Sequence, residues 1–495
     1  MLQTLKNAWK TKEIRSKIIF TLFILVLYRI GTVIPVPFVE ANNFSGSFGG
    51  TILEYMNTLS GGSLGTATLF ALGVSPYINA SIIIQLLAVV FPSLGELAKN
   101  DKEKMNFITR IITVILAMVT AIGYYFLLKN SGALTNAATA EDNPEGFWFY
   151  GVVIVACYCA GASIIMWLAE RINERGIGNG ISIILFANII STLPSLVYNL
   201  IMLAVDSFRY SEKAWLYGLI SVIFALVVIA ALVGVTIFVI WVTGSERRIP
   251  VQYAKRVVGR KMYGGQSSNL PLKLNMTGVM PIIFASSIVS LVPTILALCG
   301  VTNDTEGFWG GVNRFLASDG VIYPVLLFVL IIAFAYFYTQ ISFDPIEVAN
   351  NFKKQGGTIP GIRQGRPTSD YIRKILNKVT LVGALFLGII AVLPVIVGPH
   401  IVQHIVEWIM YGSDYAKQAQ SFIEQGMASS TSGSTNYLVQ YGESILASIE
   451  SSASYLTSMF TFGGTSLLIV VGVAIETFRE LEAQLTMRNY KGFLN

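Results

Sequence analysis

Ten stretches of about twenty predominantly apolar residues recur along this 495-residue chain. A helix of that length crosses the hydrocarbon core of a bilayer, which is roughly 30 Å thick. Only 13% of the residues are charged, about half the fraction that soluble domains usually carry. The sequence therefore predicts an all-α polytopic membrane protein with ten transmembrane helices, at about 18–38, 74–92, 107–128, 148–168, 181–205, 215–243, 276–299, 321–342, 379–398 and 462–481.

Lysine and arginine are distributed unequally between the two sides of these predicted helices. With the N-terminus inside, the inner segments hold 28 basic residues and the outer segments hold five, while Arg29 lies within the first span. Basic residues concentrate on the cytoplasmic side of membrane proteins. The distribution therefore predicts that both termini are cytoplasmic.

The ten predicted helices divide into two sets of five. They give an N-terminal half 1–205, a short outer hinge loop 206–214 and a C-terminal half 215–495. Because five is an odd number, the second half enters the membrane in the opposite orientation, as in inverted-repeat folds with a path between the repeats. We expect two inverted five-helix halves around a central pore; on topology alone, a helical bundle without a pore is the alternative.

A glycine-bounded segment lies between the first two predicted spans. Gly61, Gly62, Gly65 and Gly73 bracket about ten small or apolar residues, which as a helix would extend only about 15 Å. Pro76 then begins a longer apolar helix. Backbone that enters the membrane without crossing it must be buried in protein or line a cavity. We therefore expect a short helix here, folded into a pore or a transport path.

Two long basic loops lie on the predicted cytoplasmic side, at 244–275 and 343–378, and each carries seven of the inner basic residues. The alternation of Ile249, Val251 and Tyr253 predicts a short strand in the first loop. Exposed lysine and arginine side chains bind anionic partners, and they contact ribosomal RNA through its phosphates. The two loops are therefore predicted to form a docking surface.

A long outer segment, 399–461, separates the last two predicted spans. It carries one basic residue, Lys417, against five acidic residues. Apolar residues with helical spacing at both ends of the segment predict two amphipathic helices at the membrane interface.

The sequence does not predict a catalytic site. The chain has no P-loop or H-E-x-x-H pattern, and no further ligand accompanies its two histidines, His400 and His404. We expect no enzymatic activity, no cofactor and no metal site. A secondary transporter for a small solute is the alternative function. Ion-coupled transporters usually bury acidic residues along the path, whereas the charged candidates here are Arg29 and Glu476, at the inner edge of the last span.

Motifs spread in order over nearly the whole chain resemble signatures of the SecY family, the central subunit of the bacterial protein-conducting channel. They are Arg29-Ile30-Gly31 with Ile34-Pro35-Val36-Pro37, Ala71-Leu72-Gly73 with Pro76-Tyr77-Ile78, 81–87 (SIIIQLL), 176–182 (GIGNGIS), Pro360-Gly361-Ile362-Arg363 and 462–471 (FGGTSLLIVV). The resemblance implies a channel that translocates unfolded secretory polypeptides across the inner membrane and releases transmembrane segments sideways into lipid.

The resemblance also implies three parts of a gate. A plug would close the pore from outside and comprise Gly61, Gly62, Ser63, Leu64, Gly65, Thr66, Ala67, Thr68, Leu69, Phe70, Ala71 and Leu72. A hydrophobic pore ring would consist of Val74, Ile78, Ile181, Leu185, Ile283 and Ile469. Spans two and three would part from spans seven and eight to open a lateral gate, where Gln85 and Ser287 are the polar candidates.

The partners implied by the resemblance lie on both sides of the membrane. The inner loops would dock the ribosome or the SecA motor through Arg247, Arg248, Lys255, Arg256 and Arg363. SecE and SecG would be companion subunits, and nascent polypeptides and signal sequences would be the substrates. The channel would lie in the bacterial inner (plasma) membrane, and the lipid bilayer would receive the released segments. The outer insert 399–461 is longer than is usual in this family, so we expect it to contact a periplasmic or membrane-surface partner.

Overall fold

The chain is described here by a computed structural model. It describes residues 2–40, 52–135, 147–209, 214–253, 256–258, 261–263, 267–299, 301, 307–316, 320, 322–411, 420, 421, 423, 457 and 463–486.

The first half of the chain is helical. Its helices are α1 (Leu2–Lys10), α2 (Lys12–Gly31), α3 (Ile52–Leu59), α4 (Ser75–Val90), α5 (Pro92–Asn100), α6 (Lys102–Asn130), α7 (Phe147–Arg175) and α8 (Gly180–Arg209). Local sequence sets several of these starts. Pro76 lies in the first turn of α4, where its missing N–H costs nothing, and the Asp101 side chain accepts the Lys104 amide at the start of α6.

The second half combines long helices with short strands. In order it forms α9 (Ala214–Gly244), β1 (Glu246–Tyr253), β2 (Arg256–Val258), β3 (Lys261–Tyr263), β4 (Ser267–Lys273), α10 (Met280–Leu298), α11 (Phe308–Phe315), α12 (Ile322–Ser342), α13 (Pro345–Gln355), β5 (Gly357–Thr358), α14 (Arg366–Val397), a π-helical turn (Gly398–Val402), α15 (Gln403–Tyr411) and α16 (463–486).

Each of the ten predicted apolar stretches coincides with a helix: α2, α4, α6, α7, α8, α9, α10, α12, α14 and α16. Within the described ranges, six helices are long and apolar enough to cross a membrane on their own, and α4 with α5 forms a seventh candidate bent by 118°. The other three helices are shorter or more charged: α10 has 19 residues, and α2 and α16 carry Arg29 and Glu476. The observed helices are consistent with the ten-helix prediction.

The predicted plug helix is wrong in its placement. Residues 61–72 form successive turns, and the helix of this region is α3, which ends at Leu59. The cause is local: Gly61, Gly62 and Gly73 have φ values of 69°, 89° and 56°, and Ala67 has 49°. A right-handed helix cannot contain such residues. The segment Gly61–Leu72, called the plug segment below, is therefore a compact non-helical loop.

Two hydrophobic clusters surround the plug segment and the helices next to it. The larger cluster joins both halves and contains residues such as Ile78 of α4, Leu185 of α8, Ile283 of α10 and Leu327 of α12. The second cluster packs plug residues against α6 and α7. The plug segment thus lies against the first half, next to the interface between the halves.

The two basic loops form one unit on the predicted inner face. Strands β4, β1 and β5 form an antiparallel sheet in that order, and β2 pairs with β3 in a separate hairpin. The predicted alternation in β1 is confirmed, because Ile249 and Val251 are buried between exposed neighbours. They pack with Leu272 of β4, in the same loop, and with Ile359 of the second loop and Ile372 of α14. We call this unit the inner-face sheet domain.

Two boundaries differ from expectation. The hinge loop 206–214 is partly helical, since α8 continues to Arg209. The first amphipathic helix predicted in the outer insert matches the π-helical turn and α15, whereas the second, near 438–449, lies outside the described residues.

Candidate pore and lateral gate

A cavity of about 140 Å³ lies where the plug segment meets α4, α6 and α10. Most of its surface is apolar, and hydroxyl groups of α4, α6 and α10 contribute to the polar part. Its lining includes Leu64 and Leu72 of the plug segment and four predicted ring residues, Ile78, Leu185, Ile283 and Ile469. The plug segment, four residues of the predicted ring and three helices of the predicted lateral gate, α4, α6 and α10, therefore border one space.

The predicted ring residues come together from four parts of the fold. Val74 precedes α4, and the others belong to α4, α8, α10 and α16. Five of them are buried in the large cluster: Val74, Ile78, Leu185, Ile283 and Ile469. Ile181 is half-buried and packs against that cluster. Aliphatic side chains offer neither donors nor charges, so an ion gains nothing from them in exchange for its water.

Three side chains of the first half donate hydrogen bonds to main-chain oxygens in or next to the plug segment. Asn188 Nδ2 of α8 bonds the Leu59 carbonyl at 2.7 Å. The Tyr158 hydroxyl of α7 donates to the Ala67 carbonyl at 3.2 Å, and the Tyr124 hydroxyl of α6 donates to the Leu64 carbonyl. The sequence prediction missed these three donors, because nothing in a local motif marks an isolated polar group within an apolar helix.

Amides of the plug segment also donate hydrogen bonds to neighbouring parts of the chain. The Gly65 amide donates to Asn57 Oδ1 at 2.8 Å, and the Leu64 amide donates to Ser60 Oγ at 3.1 Å. The Leu69 amide donates to the Ile34 carbonyl at 2.9 Å. These bonds satisfy amides that a turn would otherwise leave unpaired.

Packing against α2 and α7 is close. Phe70 is buried and stacks on Tyr28 with ring centroids 5.4 Å apart. A Cβ at Gly31 would lie 2.0 Å from the Phe70 ring, and one at Gly161 would lie 2.0 Å from the Leu69 carbonyl oxygen. Glycine at both positions lets the helices approach the segment.

A polar contact joins α4 to α12 across the predicted lateral gate. Gln85 Oε1 accepts the hydroxyl proton of Tyr338, and Gln85 Nε2 donates to Ser81 Oγ at 3.1 Å. The Tyr338 ring also packs on Phe284 of α10, with centroids 5.1 Å apart. Gln85 thus contacts α12 through Tyr338, a partner that the sequence did not reveal.

Ser287 occupies a different position from Gln85. It lines the cavity, but the described residues provide no hydrogen bond from its hydroxyl to α4. The neighbouring Ser286 and Ser290 hydroxyls donate to carbonyls of their own helix, at 3.0 and 3.1 Å. Ser287 is therefore part of the cavity lining and takes no part in the Gln85–Tyr338 contact.

Four of the five predicted docking residues lie on the inner-face sheet domain. Arg247, Arg248 and Arg363 are exposed, and Arg248 Nε lies 2.7 Å from Glu246 Oε1. Arg256 lies in β2, while Lys255 lies outside the described residues.

The charge near the inner-face sheet domain is basic. Burial lowers the pKa of Lys273 of β4, and repulsion from Arg479 lowers that pKa further. Such crowding of cations marks a surface whose field attracts anions.

Arg29 and Glu476, the two charged residues that a transporter path could use, lie in different surroundings. An Arg29 Nη1 atom would lie 3.1 Å from a Cβ placed at Gly61, so it faces the start of the plug segment. Glu476 of α16 is exposed. In the described part of the chain, no cluster of three or more His, Cys, Asp or Glu side chains has the arrangement of a metal site.

Comparison with known proteins gives a consistent result. The family model of SecY matches residues 68–412. The protein translocase subunit SecY of Streptomyces coelicolor is 39% identical over 507 residues, covering all of both chains.

Two solved structures share the fold. One is a SecY structure concerned with the plug domain that stabilises the closed state of the translocation channel and maintains a membrane seal (TM-score 0.55, 16% identity). The other is Sec61 in the canine ribosome–channel complex from the endoplasmic reticulum (TM-score 0.54, 16% identity). Each alignment covers 95% of this chain and 92% of the other. Taken with the apolar helices, these relationships establish that the chain is a multi-pass membrane protein and belongs to the SecY family of protein translocase subunits.

Proposed function

We propose that the cavity is the closed centre of a protein-conducting pore, sealed by the plug segment and by the ring Val74, Ile78, Ile181, Leu185, Ile283 and Ile469. The observation that carries this proposal is that one cavity borders the plug segment, four ring residues and the α4 and α10 helices. Apolar constrictions of this kind tend to dewet and so block ions. Aliphatic side chains can nonetheless shift aside for an extended polypeptide.

The seam between α4 and the pair α10 and α12 is the proposed lateral gate. The Gln85–Tyr338 hydrogen bond supports this assignment, because a single bond between helices in a membrane contributes only about 1 kcal/mol or less. Such a seam can close the channel and still open. Apolar segments of a passing chain would leave through it, since a stretch of about twenty apolar residues is favoured in hydrocarbon.

The inner-face sheet domain is the proposed docking site for the ribosome or the SecA motor. Its exposed Arg247, Arg248 and Arg363 support this, and the fold is shared with Sec61 in a ribosome–channel complex. The docked motor or translation by the docked ribosome would supply the driving energy, because we expect no enzymatic activity of this chain. SecE and SecG are the proposed companion subunits, and the bacterial inner membrane, with both termini cytoplasmic, is the proposed location.

The ring is tested by the change Ile78→Asn. An amide in the ring supplies donors and acceptors for water, so the closed state should conduct ions and accept precursors with weak signal sequences. Export of a precursor with a defective signal sequence measures the second effect. The matched control is Ile84→Asn, which places the same amide at a buried position of the same helix outside the ring cluster. Equal selectivity in wild type and Ile78→Asn would contradict the ring.

A secondary transporter is the second candidate, and no observation favours it. It requires a polar solute site and a coupling-ion site at mid-membrane, whereas the cavity lining is mainly aliphatic.

A further inference from the structure

The hydrogen bonds from the surrounding helices to the plug segment have a common form. Tyr124 of α6 and Tyr158 of α7 donate to the Leu64 and Ala67 carbonyls, and Asn188 of α8 donates to Leu59, just before the segment. In each case the acceptor is the main chain. Changes of side chain within the segment therefore leave these bonds available.

The donors are shielded from water. Tyr124, Tyr158 and Asn188 are buried, and the two tyrosine rings pack edge to face with centroids 5.0 Å apart. A buried hydrogen bond is stronger than an exposed one, since water cannot replace it. Withdrawal of the segment would leave both hydroxyls without these acceptors in an apolar setting.

The backbone of the plug segment is strained at the same place. Ala67, whose carbonyl accepts from Tyr158, has φ of 49°, a left-handed conformation that residues other than glycine rarely adopt. Strained conformations persist where the surroundings hold them. Contacts from outside the segment therefore help to hold its closed shape, in addition to the bonds within it.

All three donors belong to the first half of the chain. The seam that would open sideways lies elsewhere, between α4 and α12, where Tyr338 bonds Gln85. Separation of α4 from α12 breaks none of the three plug bonds. Opening of the seam and release of the plug are therefore two events with separate hydrogen bonds.

We propose that Tyr124 and Tyr158 are positioning residues that hold the plug closed through its main chain, independently of the lateral seam, with Asn188 fixing the entry to the segment. This inference rests on the proposed function of the plug segment as the seal of the pore.

The test measures iodide influx into vesicles that contain the full-length channel as purified, followed by quenching of an entrapped halide-sensitive dye. Tyr124→Phe and Tyr158→Phe keep the rings and remove the hydroxyls. Each should raise the influx about fivefold, the change that corresponds to about 1 kcal/mol for one buried hydrogen bond. The matched control is Tyr336→Phe, which removes a tyrosine-to-carbonyl bond, to Asn377, away from the plug.

A second background separates anchoring from general destabilisation. In a chain that lacks residues 61–72, Tyr124→Phe and Tyr158→Phe should add nothing to the influx, because their acceptors are gone. An equal rise in that background would overturn the proposal. Ile78→Asn reports on the pore itself: influx through Ile78→Asn with none through either tyrosine variant would overturn the anchoring role alone. If Ile78→Asn and the deletion also remain tight, the pore assignment fails and the anchoring inference fails with it.

Discussion

At the scale of single residues, Gly161 shows how closely the plug segment is fitted. Its backbone faces the Leu69 carbonyl oxygen, and a Cβ would lie 2.0 Å from that atom. We predict that Gly161→Ala pushes the plug segment away from α7 and destabilises the closed state by about 1–3 kcal/mol, the usual cost of overpacking. Thermal unfolding and ion leak through vesicles measure the two consequences.

The control for Gly161→Ala is Gly234→Ala, the same change in α9 at a glycine with no atom within 4 Å of the added Cβ. Alanine is the better helix former, so this variant should be neutral or slightly stabilised. Similar behaviour of the two variants would show that the close approach to Leu69 is unimportant.

Residue by residue, the sequence indicated candidates for the aliphatic ring and for one polar contact, but it did not indicate the hydrogen-bond partners. Gln85 was recognisable because it stands within an apolar helix in the 81–87 motif. Tyr338, which bonds it, is 253 residues away, and Tyr124 is 60 residues from Leu64. Such pairs depend on how whole helices pack, which local patterns do not encode.

At the scale of elements, the inner-face sheet domain joins loops that are distant in sequence. Alternation within β1 predicted a strand, but its pairing with β5 could not be read from either loop, because two residues of pairing leave no periodic signal. In the plug segment, by contrast, the local pattern predicted an element that does not form. Its glycines predicted a short helix, whereas their positive φ values bend the chain into turns.

Arg363 of the inner-face sheet domain provides a test of docking. It is exposed beside α14, and its carbonyl accepts the Thr368 hydroxyl at 2.8 Å. Arg363→Glu reverses an exposed charge and leaves this main-chain bond in place. We therefore predict impaired motor-driven export with normal membrane assembly, measured by precursor accumulation and by the amount of channel in the membrane.

The matched control is Lys129→Glu, a charge reversal at the exposed outer end of α6. It should leave export unchanged because the predicted topology places it on the side of the membrane opposite to Arg363. Normal export by Arg363→Glu would remove this residue from the docking site.

At the scale of the whole molecule, one hydrophobic cluster joins the two halves through Ile78, Leu185, Ile283 and Ile469. Such a junction without charges can separate and close again, since no buried ion pair has to be broken. Composition and the recurrence of apolar stretches predicted the helical membrane fold. They could not predict that the plug segment is attached to the first half, because that attachment consists of individual contacts from α6, α7 and α8.

The most direct measurement is disulfide crosslinking between Ile78→Cys and a stalled secretory chain that carries one cysteine, with Cys157, Cys159 and Cys299 replaced. If polypeptide passes through the ring, a crosslink forms and depends on the signal sequence of the stalled chain. Phe38→Cys, in the outer loop after α2, serves as a second position on the same half. Crosslinks at Phe38→Cys with none at Ile78→Cys would contradict a path through the ring.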